Sequence, residues 1–170
     1  MAPDATDPVD SFLRANEAYA SRFAKGDLAM RSKTGVTILT CGDSRVDPTH
    51  FLSLPEGEAY IFRNAGGRVT GDFLRFFFNA QMLGSRRVMV IHHSDCGLNR
   101  FSNQVLHERT RNELGLDSSG TDFLPYTDLD QSVRDDVAQL RSSPSVRGDV
   151  LVTGHVYDVK SGRMTEVRTP

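Results

Sequence analysis

Two short stretches carry the residues best suited to chemistry: Cys41-Gly42-Asp43-Ser44-Arg45 and His93-Ser94-Asp95-Cys96-Gly97. Between them they hold both cysteines of the chain. Two soft thiolates with an imidazole suit zinc, and three protein ligands leave a fourth position open for water, as a catalytic zinc needs. With no third cysteine, a closed structural site would have to recruit His50, His92, His107 or His155. A disulfide between Cys41 and Cys96 is the competing use of the sulfurs, but disulfides belong to oxidising compartments. Redox proteins favour a CxxC pair, which is absent.

Asp43 and Arg45 stand two residues apart, which puts both side chains on one side of an extended segment just past Cys41. An arginine can clamp a carboxylate through two charge-assisted hydrogen bonds. A carboxylate held that way stays ionised and acts only as an acceptor, able to orient a metal-held hydroxide. The plainer alternative is a surface ion pair worth about 0–1 kcal/mol. His92 adjoins a candidate ligand, yet neighbouring strand residues face opposite ways, so it is expected to pack or support rather than ligate. His50, His107 and His155 have ordinary packing or surface roles open to them.

These residues need elements to position them. Asp7-Pro8 opens a helix whose apolar residues Phe12, Ala15, Tyr19 and Phe23 recur at helical spacing. Val36 to Cys41 reads as a buried strand. Asp47-Pro48 starts a turn or short helix, and Ala59 to Arg63 is a second strand. A helix follows over 71–83, then a third strand from Arg87 to Ile91 that ends in His92-His93. Helices are expected over 102–114 and 128–140, with a surface loop between them. A fourth strand over 149–158 and a closing strand from Met164 to Val167 complete the chain. Strands alternating with helices predict an α/β fold with a mostly parallel central sheet of about four strands, flanked by helices and finished by a C-terminal strand. Such sheets bind ligands beyond the carboxyl ends of strands where the strand order reverses. Cys41 ends the first strand, and His93 and Cys96 follow the third. Neighbouring first and third strands, with the second beyond the first, would bring all three to one point.

The 170 residues suit one domain over 35–170, preceded by a helical arm over 1–34. A hydrophobic share of 38% beside 25% charged residues is ordinary for a soluble globular chain. The net charge of −2 shows no global bias toward nucleic acid or an anionic membrane. Arg86-Arg87 and the pair Arg109 and Arg111 read as solvated charges. There is no apolar run near 18 residues. The acidic start, MAPDATDPVDSF, lacks the basic and apolar regions of a secretory signal, which makes a cytoplasmic protein the expectation.

The pattern CxDSR followed by HxxCG, present here as CGDSR and HHSDCG, resembles the β-carbonic anhydrases. Phe62-Arg63-Asn64-Ala65-Gly66 is similar to the family's RNAG segment, and GHVYDVKSGRMTEV over 154–167 to its closing strand and hairpin. The resemblance runs from the first strand to the C-terminus, and the short length suits the compact branch of that family.

The resemblance implies one zinc ion per chain, held by Cys41, His93 and Cys96, with Asp43 and Arg45 as the catalytic dyad. Asp43 would alternate between pairing with Arg45 and binding zinc itself in a closed state. Gly97 would turn its amide toward a substrate oxygen; a tight turn in the ligand loop is the alternative. Homo-dimers or homo-tetramers are implied, the N-terminal helix reaching over a partner. Phe76, Phe77 and Phe78 would then line an interface or simply pack the core. Hydroxide on zinc would attack a small linear substrate, with activity rising toward alkaline pH. CO₂, hydrated to bicarbonate, is the leading substrate. Carbonyl sulfide, cleaved to CO₂ and H₂S, is the near rival, and carbon disulfide a third. A non-catalytic zinc protein or a redox protein is the reading from a different class; no nucleic-acid or membrane partner is expected.

Overall fold

The computed structural model describes residues 7–169. Residues 1–6, the start of both the arm and the N-terminal segment read as lacking a signal, lie outside the described residues, as does Pro170.

Helix α1 (Pro8–Ala20) is opened by Asp7, whose carboxylate accepts from the Val9 N–H at 2.9 Å. Strand β1 (Val36–Cys41) leads to the short helix α2 (Pro48–Phe51) and strand β2 (Ala59–Asn64). Helix α3 (Gly71–Met82) precedes strand β3 (Arg87–His93). Helices α4 (Asn103–Leu114) and α5 (Leu129–Ser142) then lead to strands β4 (Leu151–Tyr157) and β5 (Met164–Val167). The five strands form one sheet in the order β2-β1-β3-β4-β5. The first four in sequence pair in parallel, and β5 lies antiparallel on β4. The expected α/β architecture is therefore present. The chain moves outward from β1 to β2, then crosses back to β3 on the other side, so the order reverses at the carboxyl ends of β1 and β3.

Two apolar layers hold the sheet. On one face, Phe73 and Phe77 of α3 and Val133, Val137 and Leu140 of α5 pack on Leu39, Val88, Val90 and Val152. Each such side chain contributes about 1.5–3 kcal/mol on burial. Close seating of α5 needs Gly154: a Cβ there would lie 2.4 Å from Val133 Cγ1. On the other face, Ile38, Val46, Ile91 and Tyr157 form a smaller cluster, with Phe51 stacked on Tyr157 at 4.2 Å.

Some boundaries differ from the sequence reading. Strand β3 runs two residues further than Ile91, because His92 and His93 still pair with Val156 and Tyr157 of β4. Phe77 is core, Phe76 is half-buried against Phe62, and Phe78 is exposed. The loop before α5 is not wholly surface, since Tyr126 is buried. Helix α1 buries none of its residues and touches the body through a hydrogen bond from Tyr19 Oη to Glu56 Oε1 at 2.8 Å. No helix among the described residues is long and apolar enough to cross a membrane.

Candidate metal centre

Cys41 is the last residue of β1, and the turn after β2 presses against it. Gly67 adopts φ +70°, and a Cβ there would sit 3.0 Å from the Cys41 backbone nitrogen. Only glycine allows that approach. Arg63 braces the outgoing chain, its Nε donating to Cys41 O at 3.0 Å and its Nη2 to Asp43 O at 2.7 Å. The Asp43 N–H points back at the Cys41 sulfur, 3.4 Å away.

His93 ends β3, fully buried. Its Nδ1 lies 2.9 Å from the Ser94 carbonyl oxygen, which can only accept. Nδ1 therefore carries the proton, and the lone pair of Nε2 faces the cysteines. That Nε2 is buried without a hydrogen-bond partner. Ser94 ties the loop to the end of β4: its N–H donates to Tyr157 O at 2.9 Å and its Oγ to Asp158 Oδ2 at 3.1 Å. Asp95 then takes φ +58°, a left-handed position that aspartate tolerates, and the chain turns so that Cys96 faces the other two.

The ligand atoms of Cys41, His93 and Cys96 all lie within 4.8 Å of one another, and all three residues are buried. Both cysteines are free thiols. Tetrahedral zinc, with bonds of about 2.0–2.3 Å, needs donors of these types at roughly this spread. An imidazole nitrogen buried without a partner is costly unless something accepts its lone pair. A cation between the three atoms would do so, and the donor set fits zinc.

The two thiols differ in acidity. A hydrogen bond from the Cys41 thiol pulls the Cys96 pKa well down, helped by His93, Tyr126 and the Leu98 backbone, against the opposing effect of burial. The same pairing, with burial, drives Cys41 up. A divalent cation bound between the two sulfurs would draw off the protons they hold.

Arg45 is held on two sides. Its Nε and Nη2 donate to Asp43 Oδ1 at 3.0 Å and Oδ2 at 2.7 Å. Its Nη1 donates to Asp95 Oδ2 at 2.8 Å and its Nη2 to the Asp95 carbonyl at 3.0 Å. Arg100 binds the other Asp95 oxygen. Arg45 holds the Asp43 carboxyl far below the ordinary carboxylate range. Arg45, with Arg100, brings Asp95 down to about 2. Asp43 Oδ2 lies 4.0 Å from His93 Nε2, so the clamped carboxylate borders the ligand cluster.

Gly97 starts a short 3₁₀ turn (Gly97–Asn99). The left-handed residue of the ligand loop is Asp95, and a Cβ on Gly97 would meet nothing within 4 Å. Folding of the loop thus makes no steric demand for glycine at position 97. His92 turns away from the cluster and is buried between Ser132 Oγ at 2.8 Å and Asp136 Oδ2 at 3.1 Å. Asp136 also accepts from Arg68 Nε at 2.8 Å. Burial opposes its ionisation, but the hydrogen bonds from His92 and Arg68 outweigh that and keep its pKa low.

Three residues near the site escaped the sequence reading: Arg68, Tyr126 and Asp136. Asp136 did leave a trace. It falls on the same helical stripe as Val133, Val137 and Leu140, where a charge signals a buried partner. Tyr126 left a weaker one, as the end of the apolar run Phe123-Leu124-Pro125-Tyr126 inside a loop rich in Ser, Gly and Asp.

A sequence profile of the carbonic anhydrase family matches residues 36–164. β-Carbonic anhydrase 1 of Mycobacterium tuberculosis is 34% identical over 160 residues, covering 94% of this chain and 97% of that protein. A carbon disulfide hydrolase from an Acidianus species is 32% identical, covering 92% of this chain and 87% of the relative. The crystal structure of a carbonic anhydrase from Streptococcus mutans superposes with a TM-score of 0.92 at 41% identity, covering 97% of this chain and 100% of the other. With the profile spanning most of the chain and full-length relatives of this class, the protein belongs to the carbonic anhydrase family, in its β class.

Proposed function

We propose that the protein hydrates CO₂ reversibly to bicarbonate and a proton, with one zinc ion per chain held by Cys41, His93 and Cys96. The observation that carries this reading is the unpartnered, buried Nε2 of His93, converging with two free thiols beside a clamped carboxylate. Zinc bound there would supply Lewis-acid activation of water, lowering its pKa toward neutrality.

The chain's own residues do the rest. Arg45 fixes Asp43 through two parallel hydrogen bonds and keeps it ionised. Asp43 can then only accept, so it would accept a hydrogen bond from the nucleophile's O–H and leave a lone pair facing the substrate. Should Asp43 turn from Arg45 toward His93 Nε2, 4.0 Å away, it would occupy the position the nucleophile needs. Gly97, with open space in front of its α-carbon, lets a substrate approach the ligand loop and offers its amide to a substrate oxygen. The proton released leaves to solvent.

The carbon disulfide hydrolase relative supports a second reading, in which the same nucleophile cleaves carbon disulfide to CO₂ and H₂S. Carbonyl sulfide is the intermediate case. All three substrates are linear and apolar. One zinc-loaded preparation assayed for CO₂ hydration by stopped flow, and for H₂S release from the two sulfur compounds, decides between them. CO₂ hydration exceeding both is expected; H₂S release without CO₂ hydration would overturn the first reading.

We also propose a homo-dimer or a dimer of dimers, with residues 1–34 as an arm outside the catalytic domain. Helix α1 supports this, since it leaves Phe12, Leu13 and Tyr19 exposed and buries nothing of its own. A cytoplasmic location suits a site that needs both cysteines as thiols.

A further inference from the structure

We propose that Asp95 is a positioning residue of the reaction, one that fixes the Arg45 guanidinium and so registers the Asp43 carboxylate to the loop carrying His93 and Cys96. The inference rests on the reading that Asp43 orients the nucleophile at a metal held by Cys41, His93 and Cys96.

The dyad alone is a weak device. The Arg45 side chain is 46% exposed, and an isolated ion pair at such a surface is readily loosened by water and salt. Asp43 and Arg45 also belong to one short turn, so their pairing does not fix where the pair stands relative to the other loop. Asp95 supplies that reference. It lies 50 residues from Arg45, between two ligands of the metal centre. Its Oδ2 accepts from Arg45 Nη1 at 2.8 Å, and its carbonyl oxygen accepts from Arg45 Nη2 at 3.0 Å. Arg45 Nε and Nη2 serve Asp43 on the other side. Every nitrogen of the guanidinium is engaged, so turning it would break bonds to both loops.

The backbone of Asp95 points the same way. At φ +58° it occupies a left-handed position where glycine would sit with less strain, so the turn itself does not call for a carboxylate. Here one residue brings both its carbonyl and its carboxylate to a single guanidinium. Arg100 binds the remaining oxygen, Oδ1, so Asp95 is itself held. The contacts run from Arg100 through Asp95 and Arg45 to Asp43, and end 4.0 Å from His93 Nε2. Should Asp43 turn toward the ligands, Arg45 would keep its two bonds to Asp95 and stay in place to receive Asp43 again. Return of the carboxylate therefore depends on Asp95.

The test is Asp95→Gly in the full-length, zinc-loaded protein, since glycine keeps the left-handed backbone and removes only the side chain. Rotation about the Arg45 Nε–Cζ bond is read by ¹⁵N NMR as exchange between Nη1 and Nη2. It is expected to quicken about tenfold on loss of one charge-assisted hydrogen bond. Zinc content should hold, and kcat for CO₂ hydration should fall about tenfold at unchanged KM. Asp95→Asn keeps an oxygen for Nη1 but no charge, and is expected to fall between wild type and Asp95→Gly. It carries the test if the glycine variant does not fold. Rotation as slow as in the wild type would overturn the role of Asp95. So would quicker rotation at unchanged kcat, or a KM that rises while kcat holds. A wild-type protein that hydrates no CO₂ would instead overturn the reading beneath, with the Arg45 rotation still readable in the same sample.

Discussion

The carboxyl edge of the sheet and the N-terminal arm are built on opposite terms. At the edge side chains hold one another and the backbone in place: Arg63 braces Cys41, Ser94 anchors the His93 loop, and Arg45 is held by two aspartates. In the arm, α1 shows apolar side chains to solvent and meets the body through Tyr19 and Glu56. At the edge Cys41, His93 and Cys96 of one chain converge; the arm has apolar side chains that this chain leaves exposed. Geometry that chemistry depends on is over-determined locally, whereas association can be left to a segment that adds little to the fold.

The largest effect expected is at the ligands. Cys41→Ser should abolish zinc retention, from about one ion per chain to none, and activity with it. Metal analysis beside a CO₂ hydration assay checks this. Metal-free protein with full activity would end the contrast, since the edge would then be only a packing device.

Next comes the dyad. Asp43→Asn keeps the shape but loses the acceptor-only carboxylate, and a fall in kcat/KM of about 100-fold is expected with zinc content unchanged. The pH dependence sharpens the point. Arg45 lowers the Asp43 pKa, so its contribution to stability is fully present above the ordinary aspartate value of about 3.9 and fades as pH falls through the lower folded value. Between pH 5 and 9 the dyad therefore does not titrate. A rise in activity toward alkaline pH in that window would belong to the nucleophile, and a flat profile under non-limiting buffer would count against the mechanism.

A buried support should act through stability instead. Asp136→Ala leaves Arg68 and His92 without their shared partner, and unfolding free energy is expected to drop by about 3–5 kcal/mol. Chemical denaturation measures it; a loss under about 1 kcal/mol would show that the network is replaceable.

The smallest effect on the site is expected from the arm. Phe12→Ser with Phe23→Ser should shift the protein toward monomer in sedimentation, while the midpoint of unfolding of the chain itself changes little. A double variant that lost zinc would show that edge and arm are coupled after all.

Much of the site was legible before any coordinates. Val36 to Cys41 declared a buried parallel strand by its β-branched run, and His92-His93 followed another, which put three metal-type ligands at strand ends. Alternation along a strand set His92 and His93 on opposite sides, and the structure has His92 on Ser132 and Asp136 and His93 beside the two cysteines. What stayed hidden came from elsewhere in the chain. Arg68 reaches Asp136 across 68 residues, and Tyr126 arrives from a loop that reads as solvent-exposed. The end of β3 was placed two residues short, because whether His92 and His93 still belong to the strand depends on pairing with β4.

By itself, then, the sequence decided which atoms could bind a metal and on which kinds of element they sit, since donor chemistry and strand periodicity are local properties. Only the tertiary structure decided that Nε2 rather than Nδ1 of His93 faces the cysteines, that Asp95 joins Asp43 on Arg45, and that Tyr126 is buried in one cluster with Cys41 and Cys96. Those outcomes depend on how the loop after β3 turns back on itself and on contacts such as Arg45 to Asp95, 50 residues apart, whose directions are set by how helices and loops pack against the sheet.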